Sequence, residues 1–311
     1  QKTAYEIPKR DWSSDMCSSD LGLFLSLFAC ELAGFGVLPD ERCVLALGGA
    51  IAVGFNALGL LASFFHLGRP ERAWRAAAMW RTSWLSREVI VLPLFMASCA
   101  AWSIAHALNL PGSVIVGVWA TLVCVVLFVC TAMIYASLKF LQEWASPLTL
   151  VNFALNGCAS GTTVAAAFAG FTAPQWGPTL AITAGLLTLA ALGSRSASLV
   201  RNARLKPRST LQSAIGIRHP VIRQRAQGFM GSSYNTREFF HGRSTQALRS
   251  IKWMFLAAGY VVPAVLLISA PASPALWAGM VVVQLAGMVA ERWFFFAQAN
   301  HPQNLYYQAV S

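Results

Sequence analysis

Long apolar runs with almost no charge make up most of this sequence, and they limit what the chain can fold into. The first run spans Leu21–Leu38, and each of the seven that follow is long enough for a tilted transmembrane helix. No run alternates polar and apolar residues as a strand does. The seven later runs are Cys43–His66, Trp84–Leu108, Ser113–Phe140, Leu148–Phe171, Trp176–Leu192, Trp253–Ile268 and Ala275–Gln298. We therefore predict an all-α polytopic membrane protein with eight transmembrane helices in one domain, residues 22–311.

The charged residues are few and unevenly placed. The sequence is 56% hydrophobic and 11% charged, whereas a soluble domain carries about 25% charged residues. The net charge of +11 is also typical of nucleic-acid binders, but here the Lys and Arg lie in patches between uncharged runs. With eight spans, every Lys and Arg except Arg42 lies on the side of both termini. Because cytoplasmic loops carry the excess of basic residues, we predict cytoplasmic termini, contact with the lipid bilayer and no nucleic-acid partner.

The first 21 residues differ from the rest in being polar. The string DWSSDMCSSDL at Asp11–Leu21 resembles the translation of a common sequencing-library adapter, so we expect residues 1–21 to be non-native and the genuine protein to begin near Gly22. No signal peptide is predicted. Glu31 lies within the first run, where a charge usually faces the protein interior and is functional. If the run is truncated, Glu31 instead lies near the outer end of its helix.

The cysteines and histidines do not form a recognisable cofactor site. The seven cysteines contain no C-x-x-C pair, so the ligand spacing typical of zinc or iron–sulfur sites is absent. The five histidines do not pair at one depth on facing spans, as a bis-histidine haem requires. We predict no metal and no covalently bound cofactor.

The segment Phe64–Val89 concentrates arginines and tryptophans between two apolar runs. His66 ends the second run and Glu88 opens the third, so both side chains are predicted at similar depth on the cytoplasmic side. A quinol needs hydrogen-bond partners for two ring oxygens and a group that accepts each proton, and His and Glu suit both tasks. A positively charged loop with an interfacial aromatic belt explains the arginines and tryptophans. It does not explain His66 or Glu88.

Two other patterns bear on the membrane interior and its cytoplasmic face. Asn152 and Asn156 are spaced i, i+4 and share a helix face, where interhelical hydrogen bonding is favoured over a ligand contact. The sixth loop, predicted as residues 193–252, is strongly basic. Its glycine- and aromatic-rich middle, Gly228–Arg243, favours an ordered segment on the cytoplasmic face over a disordered insert. Attraction to anionic lipid is the alternative explanation of its arginines.

Four motifs carry a family resemblance. HLGRPERAWRA begins at His66, TSWLSREV spans Thr82–Val89, WASPLTLVNF spans Trp144–Phe153, and LAGMVAERWFFF spans Leu285–Phe296. The pattern resembles the membrane anchor subunit of dimethyl sulfoxide reductase, the DmsC family. The resemblance implies an eight-helix anchor in a bacterial inner membrane. Such an anchor oxidises menaquinol or ubiquinol and passes electrons to a four-cluster, ferredoxin-like iron–sulfur subunit, which feeds a molybdopterin catalytic subunit.

The resemblance also implies roles for individual residues. The quinol site carries over to His66 and Glu88, and Arg292 matches an arginine of the family. Four positions before that arginine the family has a glutamate, where this chain has Met288. Glu291 is new in this chain, and its depth makes it a plausible second proton acceptor. The predicted quinone-binding or proton-accepting residues are His66, Glu88, Arg69, Glu291 and Arg292. The predicted partner-docking residues are Arg72, Arg75, Arg81, Arg237 and Arg243.

Three alternatives remain at this stage. The arginine-rich signature also resembles the anchor of cytoplasmic sulfite dehydrogenases, in which electrons run from substrate to quinone. A purely structural anchor would tether its partner without reacting with quinone. A secondary transporter would show broken helices with charges near the bilayer midplane, and the central spans show almost none.

Overall fold

The computed structural model describes residues 12–65, 70–206, 210–223 and 245–299, and within these residues it contains helices and no strand. The α-helices are α1 (Trp12–Leu32), α2 (Pro39–Phe65), α3 (Trp84–Ala107), α4 (Ser113–Ala136), α5 (Pro147–Thr172), α6 (Gly177–Ala203), α7 (Leu211–Ile215), α8 (Thr245–Leu256), α9 (Val262–Ser269) and α10 (Pro274–Ala297). A 3₁₀ helix, Pro70–Met79, joins α2 to α3, and a π-helical turn, Ala257–Val261, joins α8 to α9. The all-α prediction is confirmed for the described residues.

Each predicted apolar run coincides with a helix, and six helical segments of the described chain are long and apolar enough to cross a membrane. These segments are α2, α3, α4, α6, the stretch from α8 through α9, and α10. The protein is therefore a multi-pass membrane protein. The count of eight spans and the cytoplasmic termini remain predictions, since α1 and α5 are helical without meeting the hydropathy of a span.

The composition of α5 explains its low hydropathy. This helix is rich in Gly, Ala, Ser and Thr, and it packs most extensively against α6 and α1. Small residues allow helix backbones to approach closely in a membrane bundle. A Cβ added at Gly161 would meet backbone atoms of Gly22, so α1 and α5 touch along their backbones. α5 is a central helix of the bundle, and most of its residues face protein.

Side-chain caps define where several helices begin. Ser83 accepts a hydrogen bond from the Ser86 backbone at the start of α3, and Ser273 caps α10 in the same way. At the start of α2, Glu41 accepts hydrogen bonds from the backbone N–H groups of residues 36–38. The serine caps satisfy backbone donors that a helix N-terminus leaves unpaired, and Glu41 satisfies those of the turn that leads into α2.

Helices extend into both ends of the predicted basic sixth loop, residues 193–252. α6 continues to Ala203, and α8 begins at Thr245. The predicted sixth apolar run ended at Leu192, before Arg195, which is buried and paired with Glu291. A charge with a partner inside the bundle does not end a membrane helix. The origin of residues 1–21 is untested, although α1 begins within them, at Trp12.

Candidate functional site

A polar cluster lies inside the bundle near the end at which α3 begins and α6 and α10 finish. Glu88 lies four residues into α3, which is about 6 Å along the helix axis. Glu291 lies about 9 Å before the end of α10, and Arg195 about 12 Å before the end of α6. Charged groups at this depth in a membrane bundle face the interior and indicate function.

Glu88 joins α3 to α4. Its Oε1 accepts a hydrogen bond of 2.6 Å from the Thr131 hydroxyl, and its side chain is half-buried. Arg292 of α10 lies close enough for a favourable charge–charge interaction with Glu88. The predicted proton acceptor is therefore held by a neutral donor on one helix and attracted by a cation on another.

Arg195 and Glu291 form a buried ion pair between α6 and α10. Arg195 Nε lies 2.6 Å from Glu291 Oε1, and the two residues expose only 1% and 5% of their surfaces. The contact is an ion pair without hydrogen-bond geometry, because Arg195 Nε has no hydrogen-bond partner among the described residues. The pair places the second predicted carboxylate at a fixed position beside the site.

Aromatic rings surround both guanidinium groups. The guanidinium carbon of Arg292 lies 4.0 Å from the centroid of the Phe153 ring. The guanidinium carbon of Arg195 lies 5.8 Å from the Phe255 ring and 5.9 Å from the Phe295 ring. Ring faces attract cations most strongly where water is excluded, so the aromatic residues of α5, α8 and α10 help to hold two positive charges in an apolar bundle.

Asn152 and Asn156 make the interhelical hydrogen bonds that their spacing predicts. Asn152 donates to the Ser198 hydroxyl at 2.8 Å and accepts from the Ser194 hydroxyl at 2.7 Å, which ties α5 to α6. Asn156 accepts a 3.1 Å hydrogen bond from the hydroxyl of Tyr260, which lies in the π-helical turn. Turns of this kind inside α-helices occur often at functional sites.

Asn152, Asn156 and the charged residues Arg195, Glu291 and Arg292 line one small cavity of about 20 Å³. Both asparagines therefore contribute to the cavity wall as well as to helix packing. The lining residues are Ser18, Ser19, Thr149, Asn152, Phe153, Asn156, Ser160, Arg195, Met288, Glu291, Arg292 and Phe295. Arg292, which is part of this wall, also lies within charge–charge range of Glu88.

The described arginines of the predicted docking set lie on or beside the 3₁₀ helix, away from the cavity. Arg72, Arg75 and Arg81 are exposed. The guanidinium carbon of Arg75 lies 5.5 Å from the Trp74 ring, and that of Arg81 lies 5.4 Å from the Trp80 ring. The arginine-rich loop thus presents cations at the surface, stacked beside exposed tryptophans.

Four predicted residues lie outside the described parts of the chain. His66 and Arg69, predicted for the quinone site, fall in the gap between residues 65 and 70. Arg237 and Arg243, predicted for docking, fall between residues 223 and 245. Their roles stay predictions, and so does the shared pocket of His66 and Glu88.

Sequence reasoning missed Arg195 and Thr131. Arg195 follows a Gly-Ser pair and was assigned to a loop, and Thr131 is one hydroxyl in a long apolar helix. The spacing of residues in α6 could have identified Arg195, since Leu187, Ala191 and Arg195 follow one another every four residues and so share one helix face.

A second polar cluster lies at the opposite end of the bundle. Glu31, near the end of α1, accepts hydrogen bonds from Trp102 Nε1 at 2.7 Å and from the Ser113 hydroxyl at 2.6 Å. His106 Nε2 lies 3.2 Å from Glu31 Oε1. Eighteen residues of α3 separate Glu88 from His106, about 27 Å along the helix, so this cluster is distinct from the candidate site. Glu31 lies near the end of its helix, and its side chain also faces the protein interior.

The described residues contain no group of three or more His, Cys, Asp or Glu side chains that could hold a metal ion. The predicted absence of a metal or bound cofactor remains a prediction.

Comparison with known proteins identifies the family. The family model described as "DMSO reductase anchor subunit (DmsC)" matches residues 17–298. The chain belongs to the DmsC family. The resemblance predicted from the four motifs is thereby confirmed, and it extends over most of the chain.

A curated relative of this DmsC-family chain points to one branch of molybdoenzyme anchors. The chain is 49% identical over 310 residues to the C subunit of the sulfite dehydrogenase of Allochromatium vinosum, an alignment that covers 93% of this chain and 94% of the relative. No solved structure matches the chain significantly. Family and relative together make this protein a membrane anchor of a molybdoenzyme complex.

Proposed function

We propose that this DmsC-family chain is the quinone-reactive anchor of its complex, transferring electrons between an iron–sulfur subunit and the quinone pool of a bacterial inner membrane. One observation carries the proposal: Glu88, Glu291, Arg195 and Arg292 are gathered at one end of the bundle. An anchor that only tethers its partner has no use for two carboxylates at that depth, because burying charge is costly.

The relative supports one direction of electron flow over the other. Since a sulfite dehydrogenase subunit is 49% identical over almost the whole chain, we favour electrons that pass from a sulfite-oxidising molybdopterin subunit, through the iron–sulfur subunit, to quinone. In that direction quinone gains two electrons and two protons to become quinol. The dimethyl sulfoxide reductase-like direction, quinol oxidation, uses the same residues in reverse and is the second candidate.

The exposed arginines support docking of the iron–sulfur subunit at the same end of the bundle. Arg72, Arg75 and Arg81 lie on the segment that leads into α3, the helix that carries Glu88. Electrons must travel between an iron–sulfur cluster of the partner subunit and a quinone beside Glu88. The iron–sulfur subunit therefore has to lie over this segment. Charge reversal at Arg72 and Arg75 should lower recovery of the iron–sulfur subunit with the anchor; undiminished recovery would assign these arginines to anionic lipid instead.

The decisive experiment is turnover of the purified complex with a soluble quinone analogue. Glu88→Gln keeps the shape of the side chain and removes the acid, so quinone-coupled turnover should fall at least tenfold, within the range of about 10²–10⁴ typical of acid–base groups. An artificial electron carrier that reacts directly with the soluble subunits should show unchanged turnover. Asp40→Asn is the matched control, an exposed carboxylate at the start of α2.

Two outcomes separate the hypotheses. If Glu88→Gln and His66→Gln both keep wild-type quinone-coupled turnover, the chain is a structural anchor. If turnover of these variants falls with the quinone analogue but not with the artificial electron carrier, the site is assigned to quinone chemistry. Sulfite and dimethyl sulfoxide, offered to the same preparation with matching quinone and quinol, then distinguish the two directions.

A further inference from the structure

Arg195 has hydrogen-bonding capacity that the described residues do not use. Its side chain is 1% exposed, and its Nε contacts Glu291. Its Nε and Nη2 are both buried, and neither has a hydrogen-bond partner among the residues that the structure describes. A buried guanidinium donor without an acceptor is strongly unfavourable. Arg195 lines the cavity described above, so an acceptor inside that cavity would satisfy the donor.

The size of the cavity selects the acceptor. About 20 Å³ exceeds the 10–15 Å³ that one water needs, and it is far below the hundreds of Å³ that a ring-containing ligand occupies. The wall supplies the two to four polar partners that a buried water requires. Besides Arg195 and Glu291, the polar groups of the wall include Thr149, Asn152, Asn156 and Ser160.

We propose that this cavity is an inner proton-transfer site, in which one water held by Arg195 exchanges a proton with Glu291. The proposal rests on the proposed quinone function and adds a second acid to it. The quinone ring itself reacts outside the cavity, beside Glu88 and Arg292. Arg195 is a positioning residue, because it holds both the carboxylate and the water and touches no reacting atom of the quinone.

The step balances with the groups named. In quinone reduction, two electrons arrive from the iron–sulfur subunit and each ring oxygen gains one proton. Glu88 supplies one proton directly: its carboxyl O–H bond breaks as a ring O–H bond forms. Glu291, the ionised partner of Arg195 at rest, first takes a proton from the aqueous phase. It then supplies this proton through the cavity water, which takes the carboxyl proton and passes one on, so that Glu291 returns to its pair with Arg195. Glu88 regains its proton from the aqueous phase, and quinol oxidation follows the same steps in reverse.

A purely structural cross-link between α6 and α10 is the competing explanation, and the chain offers a matched control for it. Gln284 of α10 donates a 3.0 Å hydrogen bond to Thr188 of α6, and both residues are buried. This contact joins the same two helices outside the cavity wall. Gln284→Met therefore removes a buried polar contact between α6 and α10 and leaves the proposed proton route intact.

The experiment measures quinone-coupled turnover in H₂O and D₂O, together with binding of a quinone analogue. Glu291→Gln should lower turnover about tenfold or more and enlarge the solvent isotope effect, with affinity for the analogue within twofold of wild type. Arg195→Lys keeps the charge and loses the forked donors, so it should show a smaller loss in the same direction. Gln284→Met should match wild type in both readouts.

Several results would overturn the proposal. Wild-type turnover and isotope effect in folded Glu291→Gln would leave the pair as a cross-link, and loss of analogue binding would make Glu291 a binding residue. If Glu291→Gln does not assemble, the uncharged pair Arg195→Met/Glu291→Gln replaces it, and wild-type kinetics there would likewise count against a proton role. A defect in Glu88→Gln without one at Glu291 refutes only this inference. No defect in either variant refutes the proposed function as well.

Discussion

Removing one partner of the Arg195–Glu291 pair should destabilise the bundle more than removing both. At the 2.6 Å separation of these atoms, two unit charges attract by about 6 kcal/mol at an effective dielectric constant of 20. Much of this offsets the cost of desolvating the two charges. Arg195→Met leaves Glu291 buried without its cation, so we expect a loss of about 3–5 kcal/mol in the free energy of unfolding. In Arg195→Met/Glu291→Met no charge of the pair remains, and most of that loss should be recovered.

The assay is reversible unfolding of the purified anchor in mixed micelles with increasing SDS, followed by far-UV circular dichroism. Arg204→Met is the matched control, since Arg204 follows α6 and is exposed; its change should stay within about 0.5 kcal/mol. Equal destabilisation in the single and double variants would show that the charges are not coupled. A loss below about 1 kcal/mol in Arg195→Met would show that water reaches the pair in the folded protein.

Two further predictions concern helix packing and the second polar cluster, around Glu31. A Cβ at Gly287 would collide with the backbone of Gly259, so Gly287→Ala should lower the free energy of unfolding by at least about 2 kcal/mol in the same SDS titration. Gly279→Ala is the control, because its Cβ would meet nothing within 4 Å. That variant should be neutral or stabilising. Trp102→Phe removes one hydrogen bond to Glu31, which should cost about 1–3 kcal/mol of stability and lower the Tm. Quinone-coupled turnover should not change. A turnover defect in Trp102→Phe would contradict the separation of the two polar clusters.

Helices could be predicted from sequence wherever the apolar run was continuous. α3 begins at Trp84 as predicted, because Ser83 caps it and a charged loop precedes it. α6 was cut short because the partner of Arg195 lies in another helix, roughly a hundred residues later in the chain. A local pattern contains no information on such a distant contact. The hydropathy of α5 was ambiguous for a related reason, since its small polar residues face other helices.

The candidate site was predictable where charge stood out against apolar surroundings. Glu88 was identified in that way, whereas Glu291 and Arg292 were assigned from the family resemblance. Arg292 lies within charge–charge range of Glu88, and Arg292 and Glu291 line the same cavity. Thr131 was not identified, because a hydroxyl in a membrane helix usually bonds its own backbone, as Thr163 does with the Ala159 carbonyl. Only the packing of α3 against α4 shows that Thr131 bonds Glu88 instead.

The Arg195–Glu291 pair also constrains how the protein is made. Ribosomes add about 5–20 residues per second, so Glu291 leaves the ribosome roughly 5–20 seconds after Arg195. During that interval α6 carries an unneutralised guanidinium, whose long stem allows it to reach toward the near interface. α6 can settle at its final depth only when α10 arrives. The last helix therefore completes insertion of an earlier one, and a chain that stops before α10 would leave α6 exposed to membrane quality control.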